Sequence, residues 1–365
     1  MRFLMLSWRD PHNPKSGGAE RVTIAYLAAL KERGHEVYWF ANQFPGGSSS
    51  EVIQGVQIVR GGGQGTSVIE AIRWYRKQKP FDLVIDQHHG IPWFAPWWCK
   101  TNCISYLHEV LGPIWEAFYP WPISMIGRWQ ERFVHWLYRK SPFWVGSEST
   151  QRALHKRGVR DVTVVHYGIK QTPLAKLEPK PFHEPLGLIA VSRLAPNKRI
   201  DHAILILKTL LERKVQAHLT IVGTGEVEGE LKQLAKETGL AERILFTGQL
   251  PEMEKDAQLR CAHLLIHTSI REGWGLNVLE ANAVGTPAIV YPVDGLVDAT
   301  LDEQTGIVTE RETPESAAER IVKLLKTPEK YEQFRINACE RTKEFQWNYI
   351  LPPACEWLEK QARRS

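Results

Sequence analysis

The stretch REGWGLNVLE, residues 271–280, carries two carboxylates, Glu272 and Glu280, with seven residues between them. It follows the apolar run HLLIHTS (263–269) and passes from loop into helix, with Gly273 and Gly275 bracketing Trp274. A loop acid at a strand end can accept hydrogen bonds from sugar hydroxyls. An acid two turns into the following helix can reach a ribose diol, and the amides at that helix start can hold a diphosphate between the two. Two glutamates at this distance are equally what a solvated loop and helix would carry, so the pair gains meaning from what accompanies it.

Three other loops have the composition of anion sites. PKSGGAER (14–21) places Gly17 and Gly18 between a first strand and a helix expected over 19–33, which Gly34 closes. Glycines there let a ligand approach the backbone at the positive end of the helix dipole, although a plain tight turn would read the same way. VSRLAPNKR (191–199) puts Arg193 at a strand end and Lys198 five residues on, close enough to converge on one phosphate pair or simply to be solvated. IVGTGEVEGE (221–230) is similar to a dinucleotide fingerprint. It has three residues instead of two between Gly225 and Gly229, and no acid ends the next strand, RILFTGQL, which counts against an NAD enzyme.

The elements that must position these loops are legible in the hydrophobic pattern. Short β-branched or aromatic runs, RFLMLSW, HEVYWFA, DLVIDQ, NCISYLH and VTVVHYG, alternate with amphipathic stretches in the first half. The rhythm restarts with LGLIAVSRL, HLTIVGTG, RILFTGQL, HLLIHTS and TPAIVYP, with a helix expected over 200–213. Between the halves, residues 170–185 are rich in Pro and Lys and lack periodicity, as a linker does. The reading is α/β: two Rossmann-like, doubly wound domains facing a cleft, residues 1–170 and 171–346, with a C-terminal helix at about 347–365 packing back onto the first.

Composition narrows the class. With 365 residues, 43% hydrophobic and 24% charged, the chain suits two soluble domains, and no apolar run reaches the roughly 20 residues of a membrane span. MRFLMLSW reads as a buried strand and not as a signal peptide, so a cytoplasmic location is expected. Five cysteines without a CxxC pair argue against a disulfide framework and a zinc site, leaving Cys99 and Cys103 as strand or core residues. The net charge of +5, without dense basic runs, suits an anionic ligand or membrane surface and not nucleic acid. Residues 91–144 hold Trp93, Trp97, Trp98, Trp115, Trp121, Trp129, Trp136 and Trp144. Within them, a helix expected over 123–140 carries a stripe of Ile126, Trp129, Phe133, Trp136 and Leu137 flanked by Arg128, Arg132, His135 and Arg139. Such a stripe either packs into its own domain or lies on an anionic membrane.

Taken together, Gly17 and Gly18, Arg193 and Lys198, and Glu272 and Glu280, in that order, resemble the retaining glycosyltransferases of family four, of GT-B fold, along nearly the whole chain. The resemblance implies that Arg193 and Lys198 bind a donor diphosphate, Glu280 the ribose, and Glu272 with the amides of Gly273, Trp274 and Gly275 the transferred sugar. It extends the donor-side set to Gly17, Gly18, Gly223, Gly225, Leu250, Leu276 and Asn277, and it places His108, from SYLHEV, near the transferred sugar. Trp274 stands where the family usually has Phe. The implied reaction moves a sugar with retention from a nucleotide-diphosphate sugar, UDP- or GDP-linked, to a glycan or lipid-linked acceptor. Neither metal nor other cofactor is expected, since the Asp-x-Asp cation signature is missing. The acceptor is expected on the first domain, with the loops PGGSSS and DQHHG, and the enzyme at the membrane periphery. The alternatives are an epimerase or phosphorylase of the same fold, or a nucleotide-sugar binder without turnover.

Overall fold

The computed structural model describes every residue except Gln64, His89 and Ser365. His89 of the DQHHG loop and Ser365 of the expected C-terminal helix therefore lie outside the described residues. The chain divides into two compact units: residues Met1–Leu111, Ile126–Gly168 and Trp347–Ser365 form unit 1, and Gly112–Met125 with Ile169–Gln346 form unit 2. Gly112–Met125 thus departs from a simple division at residue 170, because its helix Ile114–Phe118 packs on the turn Pro196–Lys198 of unit 2.

Unit 1 contains an eight-stranded sheet of β1 (Arg2–Leu6), β2 (Glu36–Ala41), β3 (Ser50–Ile53), β4 (Val56–Arg60), β5 (Leu83–His88), β6 (Asn102–Leu107), β7 (Phe143–Val145) and β8 (Val162–Val164). Their order is β3-β4-β2-β1-β5-β6-β7-β8, and every pairing is parallel except the β3–β4 hairpin at one edge. Unit 2 contains β9 (Leu186–Val191), β10 (Ala217–Val222), β11 (Ile244–Gly248), β12 (Leu264–His267), β13 (Ala288–Val290) and β14 (Gly306–Val308), all parallel in the order β11-β10-β9-β12-β13-β14. Central strands such as LVIDQH of β5 and LLIH of β12 are buried at every position. Strands of a parallel sheet covered on both faces read as unbroken runs instead of alternating ones for this reason.

Strand order reverses between β1 and β5 in unit 1 and between β9 and β12 in unit 2. Loops at the carboxyl ends of such neighbours diverge and leave a crevice. The Gly17–Gly18 loop leaves β1, His108 leaves β6, the Arg193–Lys198 loop leaves β9 and Glu272 lies beyond β12. The sequence pattern did not reveal β3, β4, β7 or β14. The β3–β4 hairpin turns at Gln54 and Gly55, with φ of 50° and 80°, on a Gln-Gly pair instead of the usual Asn-Gly. Strands β7 and β14 span only three residues each.

The helix Trp347–Ala362 belongs to unit 1, where Trp347 meets the edge of Tyr26 at 5.4 Å. Glu359 accepts from Arg33 Nε at 2.7 Å and lies 2.9 Å from His35 Nε2. The Arg33 hydrogen bond, joined by His35 and outweighing partial burial, holds the Glu359 carboxyl down from 4.5 to about 2. A depressed carboxyl contributes stability above its unfolded value and loses it as pH falls toward the folded one. Because Arg33 is more than a third exposed, Glu359→Gln should cost about 1 kcal/mol near neutral pH, an unfolding midpoint about 2–4 °C lower. Thermal melts of both proteins should converge as pH falls from 4.5 toward 2, and a constant gap would exclude the carboxylate as the source.

Candidate active site

The loops of unit 2 that carry Arg193, Gly223 and Gly225 are held together by backbone. Ser192 N donates to Val222 O at 3.1 Å, Leu194 N to Thr224 O at 2.9 Å, and Val227 N to Leu194 O at 3.3 Å. A Cβ on Gly223 (φ +130°) would lie 2.0 Å from Ser192 O, and one on Gly225 would lie 2.1 Å from Leu194 O. These two glycines exist so that the Arg193 loop can lie flush against the loop after β10. A Cβ on Gly229 would meet nothing within 4 Å, so that glycine plays no such part.

Glu272 is fixed in the same manner. Its N–H donates to Asp294 O at 3.1 Å, and a Cβ on Gly295 (φ +80°) would stand 2.1 Å from its carbonyl oxygen. Its side chain accepts from Lys198 Nζ at 2.5 Å and from Ser269 Oγ at 2.7 Å, with His267 Nε2 at 3.6 Å. Burial alone would raise the Glu272 carboxyl, but the charge of Lys198, with the hydrogen bonds from Lys198 and Ser269, more than offsets it and the net shift is downward. Burial pushes His267 down to about 4, so its ring is neutral beside Lys198. Arg199 (φ +47°) closes the loop by donating to Thr268 O at 2.7 Å and Ser269 O at 2.9 Å. Lys198 and Glu272, read from the sequence as separate motifs, are thus in direct contact.

Other members of the set are placed differently. Arg193 does not join Lys198: its Nη2 lies 3.2 Å from Glu226 Oε1, with both side chains about half exposed. Glu280 is buried in the helix Leu276–Ala283 and accepts from Lys255 Nζ at 2.9 Å. Trp274 turns into the unit, where it is 2% exposed and packs 5.3 Å from Phe345, so its ring is not an open stacking face. Gly275, at φ +79°, starts that helix ahead of Leu276. Asn277 Nδ2 donates to Val191 O at 2.7 Å, fastening the helix to β9. Leu250 packs half-buried against the core of unit 2.

In unit 1, Gly17 precedes the helix Gly18–Glu32, and its N–H is already taken, at 2.6 Å, by the buried carboxylate of Glu20, which also pairs with Arg9 at 3.0 Å. An anion there would share the turn with that carboxylate. His108 is buried, with Nε2 2.7 Å from Gln87 Nε2 and Nδ1 2.7 Å from the Tyr167 hydroxyl. Asp86 of β5 shapes the neighbouring loop by accepting from Trp93 N, Ala95 N and Tyr138 Oη at 2.8–2.9 Å. The helix Ile123–Leu137 reverses the usual pattern. Glu131, Val134 and His135 face inward, while Ile126, Trp129, Phe133 and Trp136 are 51–70% exposed. His135 is therefore not part of a basic flank: it accepts from Arg157 at 2.6 Å, and burial together with Arg157 keeps it neutral.

Sequence reasoning missed Gln87, Tyr167, Lys255, Ser269 and Gly295. Gly295 had a signal in its Asp-Gly dipeptide, a turn former. The others carried none, because each acts through a partner that nothing in its own neighbourhood announces.

Residues 16–171 match the family described as Glycosyltransferase Family 4, and residues 176–341 match that described as Glycosyl transferases group 1. Glycogen synthase from Mycobacterium tuberculosis is 24% identical over 96% of this chain and 92% of its own length. Among solved structures, sucrose-phosphate synthase from Thermosynechococcus elongatus superposes with a TM-score of 0.79 at 19% identity, covering 98% of each chain. HepE from Anabaena, in complex with UDP and glucose, gives 0.75 at 18% identity over 99% of this chain and 100% of that one. The two family matches follow each other along almost the whole sequence, and the structural neighbours superpose along nearly all of it. The chain is a group 1 glycosyltransferase of family four with the GT-B fold.

Proposed function

We propose that the protein moves a sugar with retention from a nucleotide-diphosphate sugar to a glycan or lipid-linked acceptor, using neither metal nor other cofactor. The observation that carries this reading is the Lys198–Glu272 pair at 2.5 Å, a cation and a carboxylate held together at the carboxyl ends of β9 and β12. The complexes of HepE from Anabaena with UDP and with UDP-glucose favour a nucleotide sugar as donor. Breaking the bond from the anomeric carbon to phosphate oxygen leaves an electron pair on the departing diphosphate. Lys198 and Arg193 stabilise that charge. The acceptor hydroxyl forms the new bond to the anomeric carbon and passes its proton to the departing diphosphate, which holds the electron pair of the broken bond. No carboxylate is assigned as a covalent nucleophile. Unit 1 takes the acceptor, with His108 assigned to the transferred sugar.

The experiment is product analysis with labelled UDP-, GDP- and ADP-sugars and an acceptor panel, with and without excess chelator. Sugar joined to acceptor with retained configuration, chelator having no effect, is the expected outcome. Free sugar or an epimer from donor alone would overturn it, and activity lost to chelator and restored by magnesium or manganese would refute metal independence.

Lys198→Ala removes a charge-assisted contact worth about 1.5–3 kcal/mol and strands Glu272, so turnover should fall at least tens- to hundreds-fold. Arg193→Ala, at an exposed position, should fall at the lower end of that range. Glu272→Ala should abolish transfer, whereas Glu280→Ala should chiefly raise the donor KM. Small, equal effects of the two glutamate changes on kcat and KM would contradict the division of labour.

The outward face of the helix Ile123–Leu137 favours work at a cytoplasmic membrane surface. Ile126, Trp129, Phe133 and Trp136 lie in the open, Arg132 beside them is exposed, and Arg139 stacks 4.4 Å over Trp136. Aromatic side chains with basic neighbours suit the headgroup region of an anionic bilayer. No helix among the described residues is long and apolar enough to cross a membrane. Sedimentation with anionic vesicles should show binding that weakens with salt and is lost in Trp129→Ser with Arg132→Glu; equal recovery with neutral vesicles, or none at low salt, would remove this surface from the reading.

A further inference from the structure

The helix Glu252–Cys261 turns two residues fully inward, Leu259 and, four positions earlier on the same face, Lys255. Leu259 fills the core of unit 2 as a buried helix face normally does. Lys255 is only 7% exposed, yet its ammonium is charged. Burial pulls it down, but the carboxylates of Glu280 and Glu252 overcome that and raise it on balance. Its Nζ donates to Glu280 Oε2 at 2.9 Å and to Glu252 Oε2 at 2.8 Å. Glu252 is half exposed and also accepts from Gln171 Nε2 at 3.3 Å, and the same amide reaches Asp256 Oδ1 at 3.1 Å. Apolar side chains in place of both Lys255 and Glu280 would pack these helices about as well, since a buried ion pair rarely improves on them. A buried lysine here therefore serves Glu280 more than it serves the fold.

We infer that Lys255 is a positioning residue for nucleotide binding: it holds the Glu280 carboxylate aimed while the site is empty, by occupying Oε2 and leaving Oε1 to accept a ribose hydroxyl of the donor. A carboxylate buried without a cation becomes protonated or turns away, and in either case a ribose diol loses its acceptor. Lys255 itself touches neither sugar nor phosphate and acts only through Glu280. The inference rests on the assignment of Glu280 to the ribose, and its test keeps the two apart.

The test is calorimetric titration of UDP, GDP and ADP into the whole protein, following whichever binds most tightly, for the wild type and the variants Lys255→Met, Lys255→Arg, Glu280→Gln and Lys255→Met with Glu280→Gln. Melting curves establish that each is folded, and Lys255→Gln replaces Lys255→Met if the latter is not. Lys255→Met should weaken binding roughly tenfold, the loss of one charge-assisted contact, and Lys255→Arg should restore most of it. Affinity should fall more steeply toward low pH in Lys255→Met than in the wild type, because a buried carboxylate without a cation favours its protonated form. The double variant should bind no worse than Glu280→Gln alone. If Glu280→Gln binds as wild type does, the ribose assignment fails. If Glu280→Gln weakens binding but Lys255→Met does not, or if the losses simply add with no pH dependence, Lys255 is structural and the inference is overturned.

Discussion

A carboxylate withdrawn from water has to be matched by a cation, and the site in unit 2 is arranged around that requirement. Glu272 and Glu280 lie on one short stretch but are matched by different lysines, Lys198 from the loop after β9 and Lys255 from the helix Glu252–Cys261. One pair ties the loops at the switch point together; the other ties two helices on the flank. The lysines stand 74 and 25 residues away from their acids in sequence. Neither acid can be held until β9, β12 and the intervening helices have packed, so the site is a product of the completed unit and not of any one segment.

The same dependence holds for the backbone. Gly223, Gly225 and Gly295 each stand where a methyl group would overlap a carbonyl oxygen of the neighbouring loop, at 2.0–2.1 Å. Two of these loops carry Arg193 and Glu272, so close backbone approach, not ligand contact, is what these glycines demonstrably provide. An alanine at any of them would move a charged side chain by moving the chain that bears it.

How much of this was legible in the sequence follows from the range of each interaction. Continuously buried strands such as β1, β5, β9 and β12 declared themselves as apolar runs, and Arg193, Lys198, Glu272 and Glu280 stood out because their spacing is local. Strand β7 and strand β14 were too short to show a period, and the hairpin of β3 and β4 turned on an uncommon dipeptide. The Trp-rich helix shows a deeper limit. Periodicity located its stripe but not its orientation, since a helix that buries Glu131 and His135 and exposes Trp129 and Phe133 has the same period as its inverse. Partners such as Gln87 and Tyr167 for His108 were invisible because nothing local requires them.

The resting ion pairs also bear on how a donor would be received. The Arg193–Glu226 pair is exposed and so worth roughly 0–1 kcal/mol, which leaves Arg193 available to a diphosphate at little cost. Lys198 is held more tightly, yet an ammonium is a compact charge with three rotatable donors, so its bond to Glu272 does not turn its field away from a phosphate. In the proposed reaction a lysine can therefore serve Glu272 and the leaving group together, whereas a guanidinium committed edge-on to one carboxylate would have to choose. Ser269 and neutral His267 beside Glu272 add no charge of their own. In the proposed reaction the charge developing on the diphosphate then meets a fixed cation whose field no neighbouring histidine can vary near neutral pH.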